Sequence, residues 1–282
     1  MAGLPEVKTD MLCVVDIGNT NIVIGLMDDE GRLTFSGRVR SNRDKSVEEF
    51  VIEVKTLFDL YKVNTDRVKG AIISSVVPAL TDVARSGIRD LMGTDPLVVD
   101  HGIKTGIRIA MDQPATVGSD LIVDAVGACE KYDGPLIIFD LGTATTCSVV
   151  DEDRTYLGTI IIPGVKTAQD ALTQKAAQLP YISYKKPRHL LGRNTVESMQ
   201  SGLIYGNAAM IDGLIDRVQE DLGRQATVIM TGGIGCVIAP FCRHKLVYEE
   251  NLLLDGLWYI YQKNQKSRTA KSREKYAAYS AY

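Results

Sequence analysis

The chain has 282 residues, of which 45% are hydrophobic and 24% are charged, and its formal net charge is −3 at neutral pH. This length predicts two domains of roughly 100 to 150 residues each. The small net charge gives no general attraction to nucleic acid or to a membrane surface, so neither is expected as a partner. The sequence also has no apolar run of about 18 residues, which argues against a transmembrane helix.

The N-terminal residues and the cysteines indicate the compartment. The first ten residues, MAGLPEVKTD, lack the basic and then apolar pattern of a secretory signal, so we expect a cytoplasmic protein. The five cysteines are scattered and form no Cys-x-x-Cys pair. Their pattern predicts buried free thiols rather than disulfides or a zinc site.

Three short strands joined by polar turns are predicted at the start of the chain. The apolar segments MLCVV and IVIGLMD flank the polar stretch from Asp16 to Asn21, and LTFSGRVR follows the turn DDEGR. A helix is predicted next, because apolar residues recur at spacings of three and four from Val47 to Tyr61. GAIISSVV then predicts a buried strand, Pro78 begins a second helix that ends near Met92, and PLVVD predicts another strand.

The pattern of the first strands recurs in the segment LIIFDLGTATTCSVVDEDRTYLGTIII, from Leu136 to Ile162. Asp140 in this segment corresponds to Asp16 and stands 124 residues after it, which is about one domain length. A duplication is the simplest explanation. The second copy is followed by a predicted long helix from about Val196 to Leu222. Its small residues favour close packing against a neighbouring helix over a ligand site: Gly202, Gly206, Ala208, Ala209 and Gly213.

After that helix, TVIMTGG predicts a strand and a glycine turn, and NLLLDGLWYIYQKN predicts an amphipathic helix. Meanders followed by crossover helices, present twice, predict an α/β fold of two domains with mixed sheets. We place the domains at residues 1–115 and 116–264, and a cleft between them is the expected place for a small-molecule site. Residues 265–282 are basic and poor in aliphatic side chains, and we expect them to form a disordered tail.

Each strand-ending aspartate is followed by glycine and small polar residues. An aspartate does not bind a phosphate directly, since both are negative, but it can hold a cation that does. Glycine allows a tight turn, and the neighbouring side chains donate hydrogen bonds. Two such turns predict a polyphosphate site in which metal ions neutralise charge, as phosphoryl transfer requires. The candidate donors are Asn19, Thr20 and Asn21 in the first copy and Thr143, Thr145 and Thr146 in the second.

The alternative interpretation of each turn is a hairpin without a ligand, because Gly-Asn and Asp-x-Gly are common turn sequences. One copy alone favours the hairpin. The second copy, together with a third glycine turn at Thr231-Gly232-Gly233, favours nucleotide binding instead.

The segment VGSDLIVDAVGACEKY predicts a helix with Ser119 as its N-cap and Asp120 in its first turn. The helix dipole favours an ionised carboxylate at that position, and an ionised aspartate can take the proton of an attacking hydroxyl. An acidic residue that only stabilises the start of the helix is an equally good interpretation.

Taken in order, these segments resemble the type III pantothenate kinases from about residue 11 to residue 262. The matching segments are DIGNTNIVIGL, KTG at Lys104 to Gly106, VGSD, GPLIIFDLGTATT, PG at Pro163-Gly164, NTVESMQSG at Asn194 to Gly202, TGG and LLLDGL. The resemblance implies two ribonuclease-H-like domains of duplicated topology, as in the actin-like ATPase superfamily. It also implies transfer of the ATP γ-phosphoryl group to the primary hydroxyl of pantothenate, which gives 4′-phosphopantothenate in the first step of coenzyme A biosynthesis.

The resemblance further implies a homodimer, Mg²⁺ and a monovalent cation, K⁺ or NH₄⁺. Asp140 would bind the monovalent cation, Asp16 would face the Mg²⁺ that accompanies ATP, and Asp120 would be the catalytic base. The implied ATP-binding positions are Asp16, Ile17, Gly18, Asn19, Thr20, Asn21, Ile22, Val23, Thr143 and, beside adenosine, Gly232 and Gly233. The implied substrate-binding positions are Met111, Gly118, Ser119, Asp120, Leu121 and Thr195.

Four positions depart from the family pattern. Leu121 stands where arginine is usual, Met111 where tyrosine is usual, Thr159 where glycine is usual, and Asp124 where asparagine is usual. The charge of Asp124, one helical turn after Asp120, is expected to raise the pKa of Asp120.

Two interpretations of these departures stay open. One is an active kinase that holds the pantothenate carboxylate differently, with Lys104 or Arg108 in place of the missing arginine. The other is a diverged nucleotide-binding accessory protein with weak or no kinase activity. Phosphatase chemistry on the same fold is a further alternative. A filament-forming protein fits less well, because NTVESMQSG and the short chain favour the kinase.

Overall fold

The computed structural model describes residues 10–279, with side chains described as far as residue 265. The strands are β1 (Met11–Ile17), β2 (Asn21–Asp28), β3 (Leu33–Arg40), β4 (Val68–Ser75), β5 (Leu97–Val98), β6 (Arg108–Ile109), β7 (Leu136–Leu141), β8 (Ala144–Val150), β9 (Thr155–Pro163), β10 (Thr227–Thr231) and β11 (Val247–Tyr248). The α-helices are α1 (Val47–Tyr61), α2 (Pro78–Met92), α3 (Ser119–Lys131), α4 (Val165–Lys175), α5 (Thr195–Ser201), α6 (Asn207–Leu222), α7 (Gly235–Ile238) and α8 (Leu252–Tyr279).

The chain forms two compact units that do not follow chain order. The first unit contains Met1–Gly106, Ala115–Glu130 and Leu253–Tyr282, and the second contains Ile107–Pro114 and Lys131–Leu252. The predicted boundaries place α3 and most of α8 in the C-terminal domain, whereas both helices belong to the unit that contains the N-terminal sheet. Chain order alone does not reveal this, because both helices return to the first unit from a distance in sequence.

The sheet of the first unit has the strand order β3-β2-β1-β4-β5. The first three strands form an antiparallel meander, and β4 and β5 run parallel to β1. On one face, Cys13, Val15 and Ile17 of β1 belong to a core that also contains Phe50 of α1 and Leu80 of α2. This confirms the predicted meander and the first two predicted helices, because apolar periodicity correctly identifies the face that each element buries.

Helix α8 packs on the same sheet at positions where glycines leave room. A Cβ built on Gly70 of β4 would lie 1.9 Å from the hydroxyl oxygen of Tyr261. A Cβ on Gly256 would lie 2.1 Å from the carbonyl oxygen of Val123, so α8 crosses α3 with the two backbones in contact. The glycine in the LLLDGL segment therefore fixes α3, which carries Asp120, against α8.

The sheet of the second unit has the order β11-β10-β7-β8-β9-β6. Strands β7, β8 and β9 form an antiparallel meander, while β10 runs parallel to β7 and β11 parallel to β10. Five of its strands thus repeat the order and directions of the first sheet, with β6 added at the edge beside β9. The predicted duplicated topology is confirmed.

The long helix predicted from Val196 to Leu222 is interrupted. Helix α5 leads into a π-helical turn over Gly202–Gly206, and α6 continues from Asn207. Ile204 and Ile211 pack on Phe139 of β7 in the core of the second unit. The prediction that the helix glycines allow close packing is wrong, because a Cβ built on Gly202, Gly206 or Gly213 would meet nothing within 4 Å.

The C-terminal residues and the cysteines differ in part from their predicted states. Helix α8 has helical backbone as far as Tyr279, where the sequence analysis expects a disordered tail, and residues 280–282 lie outside the described residues. All five cysteines are free, and burial raises the pKa of Cys13 and of Cys147 to about 12. Cys236, in contrast, is exposed. Within residues 10–279, we find no helix whose length and hydrophobicity would let it cross a membrane.

Two glycine substitutions test the contact between α8 and α3. We expect Gly256→Ala to lower the free energy of unfolding by about 1–3 kcal/mol, because a backbone oxygen blocks the new methyl group. Gly213→Ala in α6 is the matched control, where open space and better helix propensity predict stabilisation by about 0.5–1 kcal/mol. Urea denaturation of both variants measures the difference, and equal stabilities would contradict the close crossing.

Candidate functional site

Asp16 lies near the end of β1, in the first unit. It is paired in register with Val23 of β2 and with Ser74 of β4. The turn that follows is closed by a hydrogen bond from the N–H of Gly18 to the carbonyl oxygen of Asn21 at 3.0 Å. The turn is therefore a hairpin, and it is tight at its glycine, where a Cβ on Gly18 would lie 3.3 Å from that same oxygen.

Residues after β3 support this turn from the side. The Ser41 hydroxyl donates to the carbonyl oxygen of Gly18 at 2.6 Å, and the Ser41 N–H donates to the carbonyl oxygen of Thr20 at 3.1 Å. Arg43 donates to the Asn19 side-chain oxygen at 3.4 Å. Asn19 and Thr20 are exposed to solvent. The loop is thus held at its backbone while polar side chains face outward, as a phosphate-binding loop requires.

Asp120 also belongs to the first unit, in the first turn of α3. Its Oδ1 accepts a hydrogen bond from the N–H of Leu121 at 2.9 Å. Burial raises the pKa of Asp120, and the Leu121 N–H opposes part of that rise. The rise has the expected direction, but its main cause is desolvation rather than the expected charge of Asp124.

The two residues before Asp120, Gly118 and Ser119, make different contacts. A Cβ on Gly118 would lie 2.4 Å from Asp120 Oδ1, so glycine is required for the carboxylate to take this position. Ser119, which the sequence predicts as the N-cap of α3, is instead the first residue of the helix. Its hydroxyl bonds to Ser74 and Ser75 at the end of β4. The N-cap prediction is wrong because these long-range partners compete successfully with the helix N–H groups.

The second unit repeats the strand-end carboxylate. Asp140 of β7 is paired in register with Thr146 of β8 and with Thr231 of β10. Gly232 has a φ of 88°, and a Cβ there would lie 2.6 Å from Asp140 Oδ1. The Tyr248 hydroxyl donates to the Gly232 carbonyl oxygen at 3.2 Å. Glycine is therefore needed for the TGG turn to lie directly against the Asp140 carboxylate.

The Pro163-Gly164 segment supports the loop after Asp140. The N–H of Gly164 donates to the carbonyl oxygen of Thr143 at 3.1 Å, and the Thr167 hydroxyl donates to the same oxygen at 2.7 Å. A Cβ on Gly164 would lie 2.3 Å from the carbonyl oxygen of Gly142. Thr143 itself is exposed, so the backbone of this loop is fixed beneath an accessible side chain.

Glu197 is a residue to which the sequence analysis gives no role, although it lies in NTVESMQSG. Its carboxylate accepts hydrogen bonds from the Arg193 N–H, the His189 ring and the His189 N–H, each at 3.0 Å. These donors, with the Arg193 N–H contributing most, hold the pKa of Glu197 below its usual range. The buried carboxylate thus fastens residues 189–193 to the start of α5.

Further contacts within this motif and two residues before it explain the local sequence. Asn194 caps α5 by accepting from the N–H of Glu197 at 2.9 Å. A Cβ on Gly192 would lie 2.3 Å from the backbone nitrogen of Ser198. Thr195 begins α5 and is exposed. The asparagine, the glutamate and Gly192 together fix the position of Thr195.

A cavity of about 500 Å³ lies beside Thr195 in the second unit. Helix α4, the chain after it, and the segment from α5 into the π-helical turn surround it. Most of its lining is apolar, including Leu172, Leu179, Met199 and Leu203. No local pattern in the sequence indicates this cavity, because its lining comes from segments that associate only in the fold.

Of the two basic candidates for the pantothenate carboxylate, Arg108 makes side-chain contacts and Lys104 makes contacts through its backbone. Arg108 donates to the Thr155 hydroxyl, from Nε at 3.0 Å, and also contacts Asp153. The backbone of Lys104 exchanges two hydrogen bonds with the side chain of Asn264, at 3.2 Å and 3.0 Å. Arg108 is therefore held along the edge of its own sheet.

The predicted site residues divide between the units. The first contains the Asp16 loop and residues Gly118 to Leu121. The second contains Asp140, the glycine turn after β10, Met111 and the exposed residues Thr143 and Thr195. Across the part of the chain that the structure describes, no group of three or more His, Cys, Asp or Glu side chains could hold a metal ion. Among the described residues, neither Asp16 nor Asp140 therefore belongs to a cluster of three or more such side chains.

Comparison with solved structures defines the class of fold. An activator of 2-hydroxyisocaproyl-CoA dehydratase from Clostridium difficile, with bound ADPNP, matches 92% of this chain and 97% of its own at a TM-score of 0.58 and 11% identity. The ethanolamine utilization protein EutJ from Carboxydothermus hydrogenoformans matches 90% and 91% of the two chains at a TM-score of 0.53 and 15% identity. The chain has the actin-like ATPase fold, as the sequence predicts.

Comparison with sequences then gives the family. The family model of the type III pantothenate kinases matches residues 12–217. A type III pantothenate kinase from an Exiguobacterium species is 43% identical over 91% of this chain and all of its own length. One from Geobacter sulfurreducens is 41% identical over the same shares. The chain belongs to the type III pantothenate kinase family, which confirms the resemblance found in the sequence.

The contribution of Glu197 depends on pH in a defined direction. Because the folded state lowers its pKa, the stabilisation is full above the unfolded-state pKa and is lost as pH falls through the folded-state value. We therefore expect Glu197→Gln to lower the melting temperature at pH 7, with the deficit shrinking in acid. Glu220→Gln, on the exposed side of α6, is the control. A deficit of constant size between pH 7 and pH 3 would contradict the role of the charge.

Proposed function

We propose that this protein transfers the γ-phosphoryl group of ATP to pantothenate, giving 4′-phosphopantothenate in the first step of coenzyme A biosynthesis. The observation that carries this proposal is the match along 91% of the chain to relatives that are named type III pantothenate kinases. The strand-end loops that would bind ATP are intact in both units. We place the reaction in the cytoplasm.

We assign the ATP contacts by unit. In the first unit, the loop from Asp16 to Val23 binds phosphate oxygens through backbone N–H groups and the side chains of Asn19 and Thr20. In the second unit, Thr143 binds phosphate, while Gly232 and Gly233 contact adenosine. The fixed backbones of these loops support the assignment, because preorganised donors stabilise transferring charge without having to reorganise.

The residues present fit a metal that is carried by the nucleotide. Mg²⁺ usually keeps several waters and binds one or two carboxylates together with substrate phosphates, so a single Asp16 is sufficient on the protein side. When bound, Mg²⁺ neutralises charge on the phosphates. Asp140 would hold the monovalent cation, and the glycine turn packed against it orients its carboxylate.

We propose Asp120 as the base that accepts the proton of the pantothenate hydroxyl. Its burial supports this assignment, since a raised pKa makes an aspartate a stronger proton acceptor at neutral pH. The other positions that would contact pantothenate are Gly118, the backbone of Ser119, Leu121, Met111 and Thr195. The Ser119 hydroxyl is not assigned to substrate, because it is already bonded to β4.

We also propose that the protein is a homodimer. The second unit exposes eight large apolar side chains: Leu157, Ile160, Ile161, Leu172, Tyr181, Leu190, Leu191 and Val196. Contiguous exposed apolar surface marks protein interaction sites, and these side chains are the candidates for such a surface. A second copy of the chain is the partner that the family resemblance implies.

A direct assay tests the function. With ATP, Mg²⁺, K⁺ and pantothenate, we expect 4′-phosphopantothenate, detected by mass spectrometry, in proportion to enzyme. ATP binding without product at high enzyme concentration would favour the accessory-protein interpretation instead.

Leu121→Arg restores the usual family residue and is expected to lower the KM for pantothenate, because arginine can pair with its carboxylate.

Asp120→Asn tests the base. We expect loss of turnover with ATP binding retained, and a higher melting temperature at pH 7. The stability gain has a defined sign: a raised folded-state pKa means that ionised Asp120 destabilises the folded state once pH exceeds that value. Asp221→Asn, an exposed change on α6, is the control for both measurements. Undiminished turnover in Asp120→Asn would remove this residue from the mechanism.

A further inference from the structure

One hydroxyl group on α3 makes three contacts with the last residues of β4. The Ser119 hydroxyl donates to the Ser75 carbonyl oxygen at 3.0 Å and accepts from the Ser75 N–H at 3.2 Å. It also lies 3.1 Å from the Ser74 hydroxyl oxygen. A serine hydroxyl has one proton to donate and accepts through its lone pairs. The Ser74 hydroxyl is therefore the donor in the third contact, and the Ser119 hydroxyl is fully engaged.

The partners of Ser119 lie at the end of β4, beside the end of β1 that carries Asp16. In the register of the parallel pair, Ser74 lies opposite Asp16 and Ser75 lies opposite Ile17. The Ile17 carbonyl oxygen in turn accepts from the Val76 N–H at 3.0 Å. The segment that holds Ser119 is thus itself bonded to the start of the Asp16 loop.

The anchoring segment, Ser74 and Ser75, is held by contacts of its own. Ser74 is fully buried. The Ser75 hydroxyl accepts from Thr81 at 2.9 Å and from the Val77 N–H at 3.2 Å, which ties it to the start of α2. A side chain bonded to this segment is therefore bonded to a fixed point of the first unit.

We propose that Ser119 is a positioning residue for phosphoryl transfer, which fastens the first turn of α3 to β4 and so sets the place of Asp120 relative to the Asp16 loop. This inference rests on the proposed role of Asp120 as base. Ser119 acts through its neighbour and does not contact the reacting atoms. Gly256 allows α8 to lie against α3 at Val123, one turn after Ser119, so Ser119 fixes the end of the helix that carries the carboxylate.

A positioning role predicts a particular kinetic pattern. Misplacement of a catalytic group by about 1 Å can cost about 100-fold in rate. We expect Ser119→Ala to lower kcat by about 10- to 100-fold, with both KM values changed by less than about 3-fold. Ser119→Thr keeps the hydroxyl and is expected to recover most of the lost kcat. Ser74→Ala removes one of the three contacts and is expected to give a smaller loss.

The control is Ser148→Ala in the second unit, which removes a buried hydroxyl bonded to Tyr156 at 2.8 Å. Ser148→Ala is expected to lower the melting temperature. Its kcat is expected to stay within about 3-fold of the wild-type value, because this hydroxyl positions no catalytic group. Melting temperature and ATP binding of each variant show that the protein measured is folded. If Ser119→Ala does not fold, the kcat values of Ser74→Ala and Ser119→Thr decide the question.

The outcomes separate this inference from the proposed function. Unchanged kcat in Ser119→Ala, or in folded Ser74→Ala where Ser119→Ala does not fold, would overturn the positioning role. A rise in pantothenate KM alone would make Ser119 a substrate contact and also overturn it. Turnover in Asp120→Asn would instead refute the base assignment on which the inference rests. Loss of kcat in Ser119→Ala, recovery in Ser119→Thr and inactivity of Asp120→Asn together would support the inference.

Discussion

The constraint on which this structure depends is that its central strands are buried on both faces. Along β1, Cys13, Val14 and Val15 have no exposed surface, and along β7 the same holds for Ile137 and Phe139 while Ile138 is 1% exposed. An ionised side chain within such a strand would lose its hydration without compensation. The aspartates therefore stand where the strands end, beside turns whose N–H groups and hydroxyls can face a ligand.

A second constraint is steric, and the motif glycines satisfy it. Gly118 makes room for the Asp120 carboxylate, and Gly232 makes room for the Asp140 carboxylate. Gly164 and Gly256 let one backbone lie against another. These glycines serve less to make the chain flexible than to let functional groups come closer than a Cβ would permit.

Local patterns in the sequence predict much of this architecture. The meanders and the helices α1 and α2 follow from apolar periodicity. The duplication follows from the matching sequences around Asp16 and Asp140. What the sequence does not reveal depends on contacts between distant residues. Ser119 bonds to a strand that ends 44 residues earlier. Glu197 binds backbone groups of a loop that has no regular structure, and α3 packs with a sheet whose strands precede it.

In the proposed mechanism, turnover depends on a partly buried Asp120 that takes the proton of the acceptor hydroxyl. The most direct measurement is the pH dependence of kcat/KM for pantothenate at saturating ATP and Mg²⁺. The base must be ionised, and burial raises its pKa, so the rate should fall with decreasing pH at a value clearly above the usual aspartate pKa of about 3.9. A rate that stays constant down to about pH 4 would rule out a base with a raised pKa. Such a rate would mean that an ordinary exposed carboxylate, or no carboxylate, takes the proton.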